Sequence, residues 1–126
     1  MSRSSQRAAA DRAFSLFIRK RDGACRACGS TDSLQCAHVW SRRYHAVRFD
    51  ERNAIAACRA CHVKFTHSQA LWDAWCEENI PEYRLLRTIA VSGYTADGTP
   101  SNKLDYLDIK RQFTDAFDSL EEEAER

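Results

Sequence analysis

The chain has 126 residues and a formal net charge of +1, a length that suits one domain with a modest core that would benefit from a structural metal. No apolar run reaches membrane-spanning length, and Met1-Ser-Arg-Ser-Ser-Gln-Arg7 leads into an amphipathic segment instead of a signal-peptide core, so no membrane association and a cytoplasmic, reducing setting are expected. The small net charge conceals an uneven distribution: residues 19–64 carry ten basic and four acidic side chains, whereas residues 65–126 carry six basic and thirteen acidic ones. A basic middle of this kind suits contact with phosphates, with the acidic C-terminal half facing away.

In chain order, apolar residues at Ala10, Phe14, Phe17 and Ile18 predict an amphipathic helix from about Ser5 to Lys20, stopped at Asp22-Gly23. Residues 1–22 are therefore assigned to an N-terminal helix. Next comes a first Cys-x-x-Cys knuckle, Cys25/Cys28, with Gly29-Ser30 as its turn. Leu34–Val39 reads as a short strand, residues 40–52 as a polar, Arg-rich loop, and Asn53–Ala57 as a returning strand, although its alanines are weak strand formers. The second knuckle, Cys58/Cys61, runs into His62 and opens a helix to about His67.

Residues 68–126 are expected to form a helical extension. Leu71, Trp72, Trp75, Cys76 and Ile80 share one helical face, Pro81 suits the first turn of the next helix, and Leu85, Leu86 and Ile89 line that helix up to Gly93. Turn-forming residues 93–102 lead to a last helix bearing Tyr106, Ile109, Phe113, Ala116, Phe117 and Leu120, with residues 121–126 expected to fray. Its aromatic stripe reads as packing, with an apolar face that offers a homodimer contact.

The cysteines carry the strongest signal. Four thiolates in two Cys-x-x-Cys pairs meet the tetrahedral demand of Zn²⁺, so Cys25, Cys28, Cys58 and Cys61 are candidate ligands of a structural zinc that pins together the ends of the segment between them. Cys36 and Cys76 are left as buried free thiols.

Cys25-Arg-Ala-Cys-Gly-Ser-Thr-Asp-Ser-Leu-Gln-Cys-Ala-His38, Arg48-Phe-Asp-Glu-Arg-Asn53 and Cys58-Arg-Ala-Cys-His62 together resemble a zinc-knuckled HNH endonuclease of the ββα-metal type. The Ala-His-Val-Trp-Ser-Arg and Arg-Phe-Asp-Glu-Arg-Asn stretches are similar to small phage HNH proteins of the NinG or Rap recombination type. The resemblance covers roughly residues 23–67 and implies an α+β fold, a ββα-metal core clamped by a four-cysteine zinc site between flanking helices. It also implies a DNA partner and phosphodiester hydrolysis in phage-type DNA processing, in a bacterial or phage-infected cytoplasm.

Under that resemblance His38 is the general base, since a neutral imidazole is a suitable acceptor for the proton of the attacking water. Asn53 shapes the site by bonding backbone across the hairpin loop. His62 is a ligand of a single catalytic Mg²⁺ or Mn²⁺ that neutralises developing charge; the alternative is a hydrogen bond from His62 to a zinc-bound sulfur. The chain departs from many relatives at Ala37, where Asp or His would add a ligand, and at Thr66, where a further His would follow one turn after His62. His67, rotated by roughly 140° from His62, is the alternative ligand.

Arg42, Arg43, Arg48 and Arg52 lie in or beside the interstrand loop and are candidate phosphate contacts, with Arg42 and Arg43 leading. His45 in the same loop reads equally as a DNA contact or a solvated side chain. Two other classes compete with the endonuclease: a catalytically inactive zinc-ribbon nucleic-acid-binding module, and a scaffold whose acidic helices dock a protein partner.

Overall fold

The computed structural model describes residues 1–126 as an α+β protein with five helices and one two-stranded antiparallel sheet. The helices are α1 (Arg3–Asp22), α2 (Arg59–Thr66), α3 (Gln69–Asn79), α4 (Tyr83–Ser92) and α5 (Tyr106–Ala124), and the strands are β1 (Leu34–His38) and β2 (Ala54–Cys58). Single 3₁₀ turns occupy Glu51–Asn53 and Ser101–Lys103. No helix is long and apolar enough to cross a membrane.

Helix boundaries follow local chemistry. Ser2 caps α1 by accepting the Ser5 amide, and Gly23 ends it in the left-handed region at φ 69°, where its amide reaches the Arg19 carbonyl. The hydroxyl of Ser68 and the carboxylate of Asp105 cap α3 and α5 in the same manner. Pro81 lies outside the helix expected to include it: α4 starts at Tyr83, so the proline serves the turn that precedes it. At the other end α5 stays helical through Ala124, longer than the fraying acidic tail suggested.

β1 and β2 pair with Leu34 opposite Cys58 and His38 opposite Ala54. All five residues of β2 are buried, which explains why alanines serve in this strand. Ala54 packs with Phe14, Phe17, Ile18 and Phe113 on the α1 side, while Ile55 and Ala57 face Phe65, Trp72, Cys76 and Leu86 on the α2–α4 side. A strand covered on both faces needs small side chains for close helix approach, and this overrides weak intrinsic strand propensity. The outer edge of β2 is also covered: the Asp22 carboxylate accepts the Ala56 amide at 2.8 Å, and Arg21 donates to the carbonyls of Glu51 and Ala54. The opposite edge, that of β1, has no strand partner.

α5 lies along α1, with Phe113 in edge-to-face contact with Phe14 at a centroid separation of 4.9 Å. Ile109, Ala116 and Leu120 extend this contact, and Lys20 pairs with Glu121 at 3.0 Å. The apolar face of α5 thus packs against α1 within the chain.

Candidate functional site

The sulfurs of Cys25, Cys28, Cys58 and Cys61 all lie within 4.8 Å of one another. Tetrahedral zinc with Zn–S bonds of about 2.3 Å needs sulfur–sulfur edges of about 3.8 Å, and the Cys28–Cys58 pair is at 3.6 Å. Both knuckles are shaped by backbone bonds: the Cys25 amide meets the Ser30 carbonyl at 2.7 Å, Gly29 turns at φ 82°, and the Cys58 sulfur accepts the Cys61 amide at the start of α2. Burial raises the Cys25 thiol, but the surrounding backbone amides outweigh it and bring it down to about 6. Burial and the adjoining sulfurs push Cys61 up to about 12. Four sulfurs this close oppose one another's ionisation, and a divalent cation among them removes the conflict. The cluster fits a structural metal such as zinc.

All six cysteines are free. Cys36 and Cys76 are the two outside the cluster, and burial pushes each thiol up to about 12, which makes both poor nucleophiles.

The four cysteines join both knuckles at one end of the hairpin, and β1 lines an open cleft of about 550 Å³. Leu34, Gln35, Cys36 and His38 come from the strand, Asp11, Ser15 and Arg19 from α1, His62 from α2 and Arg42 from the loop. His38 stacks on Phe14 with ring centroids 5.6 Å apart, and its Nε2 lies 2.9 Å from the Arg48 carbonyl oxygen. A carbonyl only accepts, so Nε2 carries the proton and Nδ1 keeps its lone pair. Burial, reinforced by the positive charges of Arg42 and Arg48, lowers the His38 pKa to about 4 despite that hydrogen bond. The ring is therefore neutral at pH 7.

Asn53 is fully buried. Its Oδ1 accepts the Trp40 amide at 2.9 Å, and its Nδ2 donates to the carbonyls of Trp40 at 2.9 Å and Val47 at 3.1 Å. One amide thus staples both arms of the loop between the strands, as expected for a shaping residue. The Trp40 ring continues the anchor by donating to the Tyr83 carbonyl and packing on the Tyr83 ring.

His62 sits in the first turn of α2 and lines the cleft with His38. Its Nδ1 bonds the side-chain oxygen of Gln35, so Nδ1 donates and the Nε2 lone pair is left for a ligand. This arrangement replaces the alternative bond to a zinc-bound sulfur. His67 is exposed at the end of α2 and does not reach the cleft; Thr66 lines the adjoining hollow of about 240 Å³ instead. The helix continues through Thr66, so the extra residue rotates His67 away.

Of the four loop arginines only Arg42 lines the cleft. Arg43 is exposed and outside it. Arg48 does not present a free guanidinium: it forms a two-pronged pair with Asp11, at 2.9 and 2.7 Å, and donates to the Arg42 carbonyl. Arg52 is likewise committed to Asp50, at 3.0 and 2.7 Å. The Nε/Nη2 face of each fork is matched to a carboxylate, so in this structure both brace the loop; Arg48 commits its Nη1 as well, whereas Nη1 of Arg52 makes no bond. His45 lines a different cavity, of about 350 Å³, against the C-terminal segments.

Sequence reading missed the α1 wall. Asp11, Ser15 and Arg19 recur at four-residue intervals, a polar stripe beside the buried Ala10, Phe14 and Ile18. That stripe marks one helix face, but nothing in it signals that the face meets the hairpin. Gln35 was missed for the same reason, because its partner His62 is 27 positions away.

No protein-family model, curated protein or solved structure matches the chain. What the cleft can do follows from its own groups: a neutral imidazole of fixed tautomer, a second imidazole with a free lone pair, and cationic guanidinium groups.

Proposed function

We propose that the chain is a metal-dependent DNA endonuclease with an HNH-type ββα-metal core, in which His38 is the general base. The observation that carries this reading is the convergence of His38 and His62 on one cleft at the edge of the zinc-clamped hairpin, with the His38 Nε2 proton held by the Arg48 carbonyl. The free Nδ1 takes a proton from water, and the oxygen of that water forms a bond to phosphorus as the bond to the 3′ oxygen breaks. The departing oxygen takes a proton from solvent. Arg42 draws the phosphate into the cleft, and its charge opposes the negative charge gathering on the phosphoryl oxygens.

An imidazole with a pKa of about 4 is neutral but weakly basic. A phosphodiester anion in the cleft favours its protonated form and raises that value toward the working range. For a catalytic cation the chain offers the Nε2 atom of His62. Ala37 supplies no donor, and both Asp11 oxygens are taken by Arg48. Mg²⁺ or Mn²⁺ would be held by His62 together with water and the substrate phosphate, supplying Lewis-acid neutralisation of the phosphoryl oxygens, with weak affinity when DNA is absent. The biological setting suggested by the resemblance is phage-type DNA processing or recombination.

The missing donor at Ala37 favours one second reading, a zinc-ribbon module that binds DNA without cutting it. Incubation of the zinc-loaded protein with supercoiled plasmid, single strands and four-way junctions, with Mg²⁺, Mn²⁺ or neither, separates the two. Cation-dependent nicking supports the endonuclease; salt-sensitive binding with intact DNA under every condition selects the binding module.

A further inference from the structure

The two cleft arginines are unlike their neighbours. Arg21, Arg48 and Arg52 each face a carboxylate, whereas Arg42 makes no side-chain hydrogen bond and Arg19 only one, from Nε to the Ser15 carbonyl of its own helix at 3.3 Å. That bond leaves both terminal amino groups of Arg19 free. Asp11, the one carboxylate in the cleft wall, has its two oxygens on Arg48. With His38 neutral, the lining therefore carries two uncompensated positive charges, one from α1 and one from the interstrand loop.

Their positions differ. Phe14 of α1 stacks on His38, and Arg42 follows β1 by four residues with its carbonyl accepting from Arg48, whose own carbonyl meets His38. Arg42 thus belongs to the His38 end of the cleft, and Arg19 to the α1 wall five residues beyond Phe14. Five helical residues rise roughly 7.5 Å, comparable to the separation of successive phosphates on one nucleic-acid strand.

We infer that the free edge of β1 is a track for a single DNA strand, with the scissile phosphate at His38, His62 and Arg42 and the neighbouring phosphate held by Arg19 of α1. This rests on the endonuclease reading for the identity of the reacting phosphate. It makes the N-terminal helix, which lies outside the zinc-bracketed segment, part of the substrate site. Arg19 is a positioning residue: it sets which phosphate reaches the base and takes no part in the proton transfer.

The test combines a charge removal on each partner. Wild type, Arg19→Gln and Arg19→Lys are compared for binding, without added divalent metal, to a duplex containing the mapped cleavage site, and to the same duplex with one neutral methylphosphonate at each phosphate in turn. Melting temperature and zinc content establish that the variants are folded. Arg19→Gln should weaken binding about five- to tenfold and reduce the slope of log K against log salt by about 0.9; Arg19→Lys should keep the slope. A methylphosphonate next to the cut should cost wild type a similar factor and cost Arg19→Gln nothing further. Multiplying losses, or an unchanged slope in Arg19→Gln, would overturn the track. Should wild type cut no DNA with Mg²⁺ or Mn²⁺, the same series is run over the segment that footprinting shows to be bound; a reduced slope and one phosphate whose neutralisation costs Arg19→Gln nothing further then keep the track, and the endonuclease reading fails instead.

Discussion

Replacing Asn53 by alanine removes three hydrogen bonds at once and leaves the Trp40 amide, the Trp40 carbonyl and the Val47 carbonyl without their partner. Val47 is itself fully buried, so water reaches that carbonyl poorly. A typical bond contributes about 1 kcal/mol net, and each orphaned buried group adds a desolvation cost of about 1–3 kcal/mol. With some relaxation of the loop, a loss of about 4 kcal/mol is expected. For 126 residues the unfolding entropy is about 0.26 kcal/mol/K, which converts this loss to a fall in Tm of about 15 °C. The zinc clamp supplies folding free energy of its own, so the variant should remain folded and metal-loaded at 20 °C. Its loop should be loosened where the Arg48 carbonyl orients His38, and cleavage should be lost. Asn53→Asp should be no better, since its second oxygen would face two carbonyls and add a buried charge. Thermal unfolding, zinc quantification and plasmid nicking on one preparation check the chain of cause. A Tm within about 3 °C of wild type, or full nicking activity in a loosened variant, would refute the role given to Asn53.

Other perturbations have equally definite outcomes. Cys58→Ala, or chelation of wild type, should release the metal and abolish the cooperative unfolding transition, because the two knuckles then lose their common anchor; unchanged circular dichroism and melting would contradict the clamp. His38 is held neutral with a pKa of about 4 in the fold, against an ordinary value of 6.5. Below pH 6.5 the unfolded chain binds a proton that the folded chain refuses, so this site's contribution is complete above pH 6.5 and lost as pH falls to 4, by up to about 3 kcal/mol. The decline in Tm across that window should therefore be shallower in His38→Ala than in wild type, and parallel profiles would remove the buried neutral ring. Asp11→Asn frees Arg48 from its two-pronged pair and should lower Tm by a few degrees, about 1 kcal/mol, and slow cleavage about tenfold by releasing the loop that orients the base. Wild-type activity in Asp11→Asn would show that Arg48 holds its carbonyl in place unaided.

The four-cysteine cluster was legible because a two-residue spacer fixes the bite of each knuckle, and each pair of sulfurs lies within one short turn. The strand–loop–strand–helix order was legible for the same reason, with boundaries displaced by one residue. Asn53 fell in a 3₁₀ turn and not in the strand, since its amide donates to the Asp50 carbonyl three residues back at 2.9 Å. The pairing of Arg52 with Asp50, two positions back in the same turn, was open to local reading, but the fate of Arg48 was not. Both read as candidate phosphate contacts from their place in the interstrand loop, and Arg48 is engaged by Asp11, 37 positions earlier, through the packing of α1 on the hairpin. Arg19 was hidden by the same packing. Local spacing identifies groups that share a turn; it is silent on groups brought together by tertiary contact, and in this cleft the N-terminal helix supplies that contact.

The most direct measurement compares wild type with His38→Ala, both shown to hold one zinc per chain and to melt cooperatively, in single-turnover nicking of supercoiled plasmid with Mg²⁺ and with Mn²⁺. Wild type should convert the plasmid to open circles, and the variant should bind it with the same salt dependence while leaving it closed. Equal nicking by the two proteins would take the base away from His38, and intact plasmid with both would remove the catalysis itself.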